Sequence, residues 1–460
     1  MSGAVLIAGG AYVEPELEAE FGRLSPPFLP LGNRRLFVHQ QRALQTHSQR
    51  ILLSVPEDFA IERHDAALLA ELGIEVVPVP TGLSLGQSLV YVINVTGLTG
   101  SSFSVMHGDT LIRDIDFGAR DVVSVASQAP PGLRWGYVSR KKGLQSILPE
   151  TEPSGDGSGL VLSGWFSFSS ATRLVQAITR RGGDFLGGLE EYAQTLPLRG
   201  VEAGQWLDFG HASTYHRSRR MLTTERSFNR LTSTRRTVVK TSTDSRKIDA
   251  EARWFESLPA SMRLFVPAYL GRREEEGPTA YELEYLHLPS LSELYVFGRQ
   301  PRLAWEKIFG GCDEFLTACR TVTNASAAVQ DLFLDKTLER LERHARQLGL
   351  DLAAPCRFDG AWLPGLERIA RIAAAAIPPQ DRPPTLVHGD FCFSNILYDL
   401  RSERIRAIDP RGLDGMGKPS SFGDLRYDMG KLFHSVVGRY DHIIAGYYGG
   451  SFDGFASWLA

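Results

Sequence analysis

The sequence predicts a two-domain α/β chain. An N-terminal α/β domain with a mostly parallel sheet comes first, and a C-terminal α+β domain follows in which a small β-rich lobe precedes a helical one. Three observations carry this. The 460 residues exceed what a single core usually organises, so two to three domains are expected. Strand and helix signals alternate from residue 1 to about 220. Around residues 216–235 Arg and Ser/Thr become dense, in Arg217-Ser218-Arg219-Arg220 and again in Leu231-Thr232-Ser233-Thr234-Arg235-Arg236. We place the boundary there, giving domains 1–220 and 221–460, the second dividing into a β-rich lobe at about 225–290 and a helical lobe at about 291–460.

Taken in order, Ala4–Ala8 is an apolar run closed by Gly9-Gly10 and reads as a buried first strand. Residues 50–55 and 74–79 are further strands, with a helix at 66–72 between them. Residues 102–106 form another strand, which ends at His107-Gly108-Asp109. Beyond the boundary, 237–240 is a short strand and 245–256 a helix. Tyr281-Glu282-Leu283-Glu284-Tyr285-Leu286 alternates as a strand should. From 300 to 376 the pattern is mostly helical, with 336–348 rich in Leu, Glu and Arg, and 366–376 in Ala and Ile. No internal repeat or low-complexity segment interrupts the chain.

Composition narrows the function classes. The hydrophobic fraction of 43% supports packed cores, and a formal charge of −3 gives no electrostatic support to a nucleic-acid or membrane-surface role. The four cysteines, Cys312, Cys319, Cys356 and Cys392, form no C-x-x-C pair and no metal-ligand spacing, so reduced thiols are expected. The first residues lack a basic leader, and no apolar run approaches the roughly 20 residues that span a bilayer. A soluble cytoplasmic protein is expected, with oligomeric state unreadable.

Leu386-Val387-His388-Gly389-Asp390-Phe391-Cys392-Phe393-Ser394-Asn395, followed by Ile408-Asp409-Pro410, carries the most chemistry. Asp390 can orient a hydroxyl and accept its proton. Asn395, five residues on, and Asp409, nineteen residues after Asp390, can bind metal beside nucleotide phosphates. This H-G-D-x-x-x-x-N pattern followed by Asp resembles the aminoglycoside phosphotransferase/choline kinase-like family, small-molecule kinases of protein-kinase-like bilobal fold. The resemblance implies that Lys240, at the end of a strand, holds ATP phosphates, and that Glu251, eleven residues on in a helix, holds Lys240. It makes Asp390, Asn395, Asp409, Lys240 and Glu251 the catalytic set, with Asn395 and Asp409 as Mg²⁺ ligands. Tyr281–Leu286 would be the hinge, and Asp424 and Asp428 structural braces of the catalytic loop. One departure stands out: residues 231–236 contain no glycine where kinases often have a Gly-rich loop, so hydroxyls, backbone N–H groups and the two arginines would take its place.

In the N-terminal half, Leu6-Ile7-Ala8-Gly9-Gly10, Gly22-Arg23-Leu24 and Pro26-Pro27-Phe28-Leu29-Pro30-Leu31-Gly32-Asn33 together resemble the opening of sugar-phosphate nucleotidyltransferases, of GT-A/Rossmann-like fold. The resemblance implies nucleotide contacts from Ala8, Gly9, Gly10 and Arg23, and base contacts from Gly86, Gln87 and Ser88. Asp109 and Asp208, the latter in Trp206-Leu207-Asp208-Phe209-Gly210, would hold Mg²⁺. Trp135-Gly136-Tyr137 and Ser163-Gly164-Trp165-Phe166 supply candidate acceptor-side residues, namely Trp135, Gly164 and Trp165, since aromatic faces suit sugar rings or a quaternary ammonium. The family's loop lysine is missing, and Arg23, Arg34 or Arg35 would replace its charge.

Together the resemblances imply a bifunctional enzyme. One half would phosphorylate a small alcohol or sugar with ATP, and the other would couple that phosphate to a second NTP, with CTP the candidate by analogy, in surface-polysaccharide precursor synthesis. The alternatives are a small-molecule kinase with a degenerate N-terminal domain, and a nucleotide-binding regulatory pseudoenzyme.

Overall fold

The computed structural model describes residues 3–45, 50–127, 135–139, 146–148, 160–223, 225–226, 229–242, 244–273, 279–327, 333–358, 360–379 and 382–448. The chain divides into two compact units, residues 1–222 with 297–300, and residues 223–296 with 301–460.

The first unit is built around one mixed sheet and also holds a separate two-stranded sheet. Its strands are β1 (Ala4–Ala8), β2 (Arg50–Pro56), β3 (Ile74–Val79), β4 (Phe103–His107), β5 (Thr110–Arg113), β6 (Val122–Ala126), β7 (Tyr137–Ser139), β8 (Ser146–Leu148), β9 (Leu160–Phe168), β10 (Arg199–Glu202) and β11 (Gln205–Asp208). Its helices are α1 (Pro15–Phe21), α2 (Leu36–Leu44), α3 (Arg63–Glu71), α4 (Leu85–Val95), α5 (Ala171–Arg180), α6 (Phe185–Thr195) and α7 (Ala212–Thr223). The mixed sheet runs β10-β6-β9-β4-β1-β2-β3, with β1 to β4 parallel and β9 antiparallel to β4 and β6, while β5 and β11 form the two-stranded one. Parallel strands covered on both faces read as continuous apolar runs, which is why Ala4–Ala8 carries no polar alternation. Leu6, Leu52, Val79, Leu89, Val105 and Phe166 sit in one core, each contributing about 1.5–3 kcal/mol through burial. α4 starts with a complete capping box, in which Ser84 accepts from the Gln87 N–H and the Gln87 side chain accepts from the Ser84 N–H.

Strand order reverses at β1, with β2 and β3 on one side and β4 on the other. The carboxyl ends of β1 and β4 therefore flank a topological switch point, where open α/β sheets place their ligands. Gly9-Gly10 follows β1 there, and Asp109 follows β4.

The second unit opens with an antiparallel sheet of β12 (Glu225–Arg226), β13 (Asn229–Ser233), β14 (Thr237–Ser242), β15 (Tyr269–Arg273) and β16 (Ala280–Glu284), in the order β12-β13-β14-β16-β15. α8 (Ser245–Ser257), capped by Asp244, buries Ile248, Glu251, Ala252 and Phe255 while Asp249 and Arg253 pair outside. The helical part holds α9 (Leu291–Phe297), α10 (Arg302–Thr321), α11 (Asp335–Leu348), α12 (Leu366–Ala375), α13 (Arg426–Val436) and α14 (Tyr440–Ile444). Between them lie β17 (Cys356–Phe358), β18 (Ala361–Leu363), β19 (Thr385–Leu386), β20 (Ile396–Asp399), β21 (Arg404–Ala407) and β22 (Phe422–Gly423). α10 buries Ile308, Cys312, Phe315 and Cys319 at helical spacing, and Phe315 stacks on Phe391 of the catalytic motif at 4.6 Å. The mixture of helices and sheets is the α/β class expected. No helix among the described residues is long and apolar enough to cross a membrane.

Candidate functional site

In the second unit, hairpin geometry brings sequence-distant residues together. β20 and β21 pair antiparallel with Ile396 opposite Ala407, so the residues just outside the pair, Asn395 and Ile408, also meet, and the Ile408 N–H donates to the Asn395 carbonyl at 2.9 Å. Asp409 follows directly, in the left-handed region at φ 57°. Asn395 Nδ2 donates to both the backbone carbonyl and Oδ2 of Asp390, at 3.0 and 3.1 Å. Asp390, Asn395 and Asp409 thus share one locus.

The cation comes from the sheet. Lys240 of β14 lies opposite Tyr281 of β16, and its Nζ donates to Glu251 Oε2 at 2.7 Å and to Asp409 Oδ1 at 3.0 Å. The Tyr281 hydroxyl donates to the same Glu251 oxygen at 2.7 Å. Burial alone lowers the pKa of Lys240, but Asp409 and Glu251 outweigh it and hold the value above that of an ordinary lysine. For Asp409, burial acts upward and the Lys240 ammonium reverses it, leaving a carboxylate below its usual range. An amide oxygen and a carboxylate at one locus suit Mg²⁺, which binds through one or two such groups while keeping water and phosphate ligands.

Asp390 is held from a side that the sequence reading missed. Lys431 of α13 places Nζ 2.7 Å from Asp390 Oδ1. Burial pushes Asp390 up, and Lys431 more than offsets it, so the carboxyl titrates below its usual range. The loop itself hangs on Asp428, whose two oxygens accept the His388 and Gly389 N–H groups at 2.6 and 2.8 Å. Trp254 Nε1 donates to Val387 O at 2.8 Å, and burial drives the His388 imidazole down to about 4, so it is neutral. Asp424 pairs with Arg426 at 2.6 Å. In the glycine-free turn, Thr234 Oγ1 accepts from the Arg236 and Thr237 N–H groups, while the side chains of 231–233 lie outside the described residues.

In the first unit, β11 pairs with β5 so that Asp208 stands opposite Thr110, one residue from Asp109. A Cβ placed on Gly210 would lie 2.7 Å from Asp109 Oδ2 and 3.6 Å from Asp208 Oδ1, so both carboxylates border that glycine. Burial, then the neighbouring Asp109 charge, pushes Asp208 up to about 7, and its buried Oδ2 has no hydrogen-bond partner among the described residues. Two like charges and an orphaned oxygen fit a divalent cation. Gln40, also missed in the sequence, donates to the carbonyls of His107, Gly108 and Thr110 and so pins the Asp109 loop.

Gly10, Tyr12, Pro56, Thr81, Ser84 and Gln87 line a cleft of about 370 Å³ beside the switch point. Gly9 is locked by its surroundings: its N–H donates to Ser54 Oγ, its carbonyl accepts from Ser25 Oγ, and a Cβ would meet Pro27 and Ser25 at 2.7 Å. Ala8 ends β1 half-buried. Arg23 stacks on the Tyr12 ring, 3.8 Å from its centre, and pairs with Asp58 at 3.2 Å.

Several expected contacts lie elsewhere. Trp165 is 0% exposed, with its ring packed edge-on to Phe117, because its position on β9 faces the core; it offers no face to a ligand and corrects the acceptor-side reading. Gly86 and Ser88 are also packed inside, Gly86 against Gly183 and Ser88 beneath Gly10. Arg35 is spent on a buried ion pair with Asp65 and on the carbonyls of Phe28 and Phe297, so it cannot replace the missing lysine. Trp135 is half-buried and meets Trp206 at 5.1 Å. Gly164, at φ 97°, lets β9 approach Thr110 beside Asp109.

The model of the phosphotransferase enzyme family matches residues 220–453. No curated protein matches the chain. Similar solved structures include HddC from Yersinia pseudotuberculosis, 16% identical over 48% of this chain and 99% of that one, with a TM-score of 0.34. The inositol-1-phosphate CTP transferase from T. maritima is 13% identical over 46% of this chain and 91% of that one, with a TM-score of 0.35. An aminoglycoside-3'-phosphotransferase of type VIII is 17% identical over 50% of this chain and 84% of that one, with a TM-score of 0.29.

Proposed function

Because the chain belongs to the phosphotransferase enzyme family, we propose that it is a bifunctional enzyme that phosphorylates a small alcohol or sugar with ATP and then couples the phosphate to a nucleotide with release of pyrophosphate. The observation that carries the first activity is the meeting of Lys240, Glu251, Asp390, Asn395 and Asp409 within one unit. In this reading Lys240, steadied by Glu251, binds the ATP phosphates. Asp390, kept ionised by Lys431, orients the acceptor hydroxyl and takes its proton. Asn395 and Asp409 hold Mg²⁺, which when bound neutralises charge on the phosphate oxygens.

The second activity is assigned to Asp109 and Asp208, with the cleft at Gly10 and Gln87 receiving the nucleotide. CTP as that nucleotide, a cytoplasmic setting and a role in surface-polysaccharide precursor synthesis complete the proposal. A second reading keeps the kinase and makes the first unit non-catalytic; the burial of Arg35 in place of an available cation favours it. The experiment is ATP-dependent phosphorylation of a metabolite panel, with each product then offered to the enzyme with all four NTPs while pyrophosphate is measured. Asp390→Asn should abolish ADP formation and spare pyrophosphate release from a pre-phosphorylated substrate. Full ADP formation by that variant refutes the kinase assignment, and absence of pyrophosphate with every pair selects the second reading.

A further inference from the structure

Basic side chains stand on and around the loop that carries Asp390. Lys431 lies 2.7 Å from its Oδ1. Arg411 is fastened to the same loop by its N–H, which donates to His388 O at 2.9 Å, and its side chain covers Gly389, where a Cβ would lie 2.7 Å from that of Arg411. Among the described residues its guanidinium meets only a neutral acceptor, Asp414 O at 3.2 Å, and its buried Nη1 has no partner. Lys336, at the start of α11, donates to the Tyr427 hydroxyl at 2.7 Å. Burial, then Arg411, Arg340 and Lys431, push Lys336 down to about 7, with Asp390 opposing. Asp424 is committed to Arg426 and Asp428 to two backbone amides. Like charges converge at a cost unless an anion joins them.

We propose that the phosphoryl acceptor is itself a phosphate monoester, held beside Asp390 by Lys336, Arg411 and Lys431. This rests on the reading of Asp390 as the residue that orients the acceptor hydroxyl. Lys240 already serves the nucleotide through Asp409, so the cations around Asp390 are left for the acceptor. Lys431 on Asp390, Arg411 over Gly389 with an unpartnered Nη1, and Lys336 held by Tyr427 offer several donors, which match the oxygens of a phosphate better than those of a single carboxylate group. In the transfer, the acceptor hydroxyl oxygen bonds to the γ-phosphorus and the bond from that phosphorus to the bridging oxygen breaks. ADP leaves with the electron pair, and the hydroxyl proton goes to Asp390.

The test is calorimetric titration of the full chain with inorganic phosphate, with acetate and ATP titrated in parallel. Phosphate should bind at least about tenfold more tightly than acetate, and Lys336→Met and Arg411→Gln should each weaken phosphate about tenfold while ATP affinity stays within about twofold. Lys336→Arg and Arg411→Lys should retain phosphate binding, which separates lost charge from lost fold. Acetate binding as tight as phosphate, no effect of the substitutions on phosphate, or an equal loss of ATP affinity would each overturn the proposal. None of these readouts needs turnover, so an enzyme without kinase activity sinks the Asp390 reading while leaving the anion site measurable.

Discussion

Replacing Lys431 with Met removes the one cation among the described residues in direct contact with Asp390, without altering the carboxyl itself. At the 2.7 Å separation, opposite unit charges attract by roughly 1.5 kcal/mol in water and about 6 kcal/mol at an effective dielectric of about 20. The Asp390 side chain is 40% exposed and that of Lys431 27%, so solvent screening favours the low end, about 1–2 kcal/mol. One pKa unit corresponds to about 1.36 kcal/mol, so the acid limb of turnover should move up by roughly one pH unit. The sign follows from the balance at Asp390. In the native chain its pKa lies below the ordinary value, because Lys431 more than offsets burial, so its stabilising contribution is present above that ordinary value and lost as pH falls through the depressed one. Without Lys431 the largest charge opposing burial is gone, the pKa rises, and the ionised form needed to accept a proton is lost at higher pH. The assay is the pH dependence of ATP hydrolysis to water, or of ADP formation with an active acceptor. An acid limb unmoved by Lys431→Met would refute the claim that this lysine keeps Asp390 ionised.

Asp428→Asn leaves one oxygen where two now accept the His388 and Gly389 amides, so one buried donor goes unpaired at a cost of about 1–3 kcal/mol. Urea unfolding at constant slope should show that loss together with reduced turnover, and an unchanged midpoint would count against the brace. Gly210→Ala would drive a methyl against Asp109 Oδ2, and we expect pyrophosphate release to fall by about a hundredfold with little change in melting temperature. A variant with full release would mean that the two carboxylates do not act together. Arg35→Met strands Asp65 in the interior and should cost about 3–5 kcal/mol in the first unit, largely recovered in the double variant Arg35→Met/Asp65→Leu. Equal melting temperatures for single and double variants would contradict this.

Some of the site was legible in the chain because it depends on local rules. A strand carrying Lys240, which runs on to Ser242, and a helix carrying Glu251 eleven residues on give a fixed offset, and the helix buries Glu251 on its apolar face. The spacing from Asn395 to Asp409 matches a short hairpin, which returns the chain beside itself. Trp165 and Arg35 were misread because alternation along a strand, or the charge of a side chain, does not tell which face will be covered. Lys431, Trp254 and Gln40 carry no signal in sequence, since each acts on a backbone group or carboxylate that packing alone brings near.

By itself, the sequence determined the alternation of strands and helices, the change of composition near residue 220, and the order of Asp390, Asn395 and Asp409, since these follow from periodicity and covalent spacing. Tertiary structure alone decided which charges meet. Lys240 is shared between Glu251 and Asp409, Asp109 adjoins Asp208, and Lys431 meets Asp390. The physical reason is that electrostatic energy depends on separation and burial. Both are products of packing between residues as much as 169 positions apart, as Lys240 and Asp409 are.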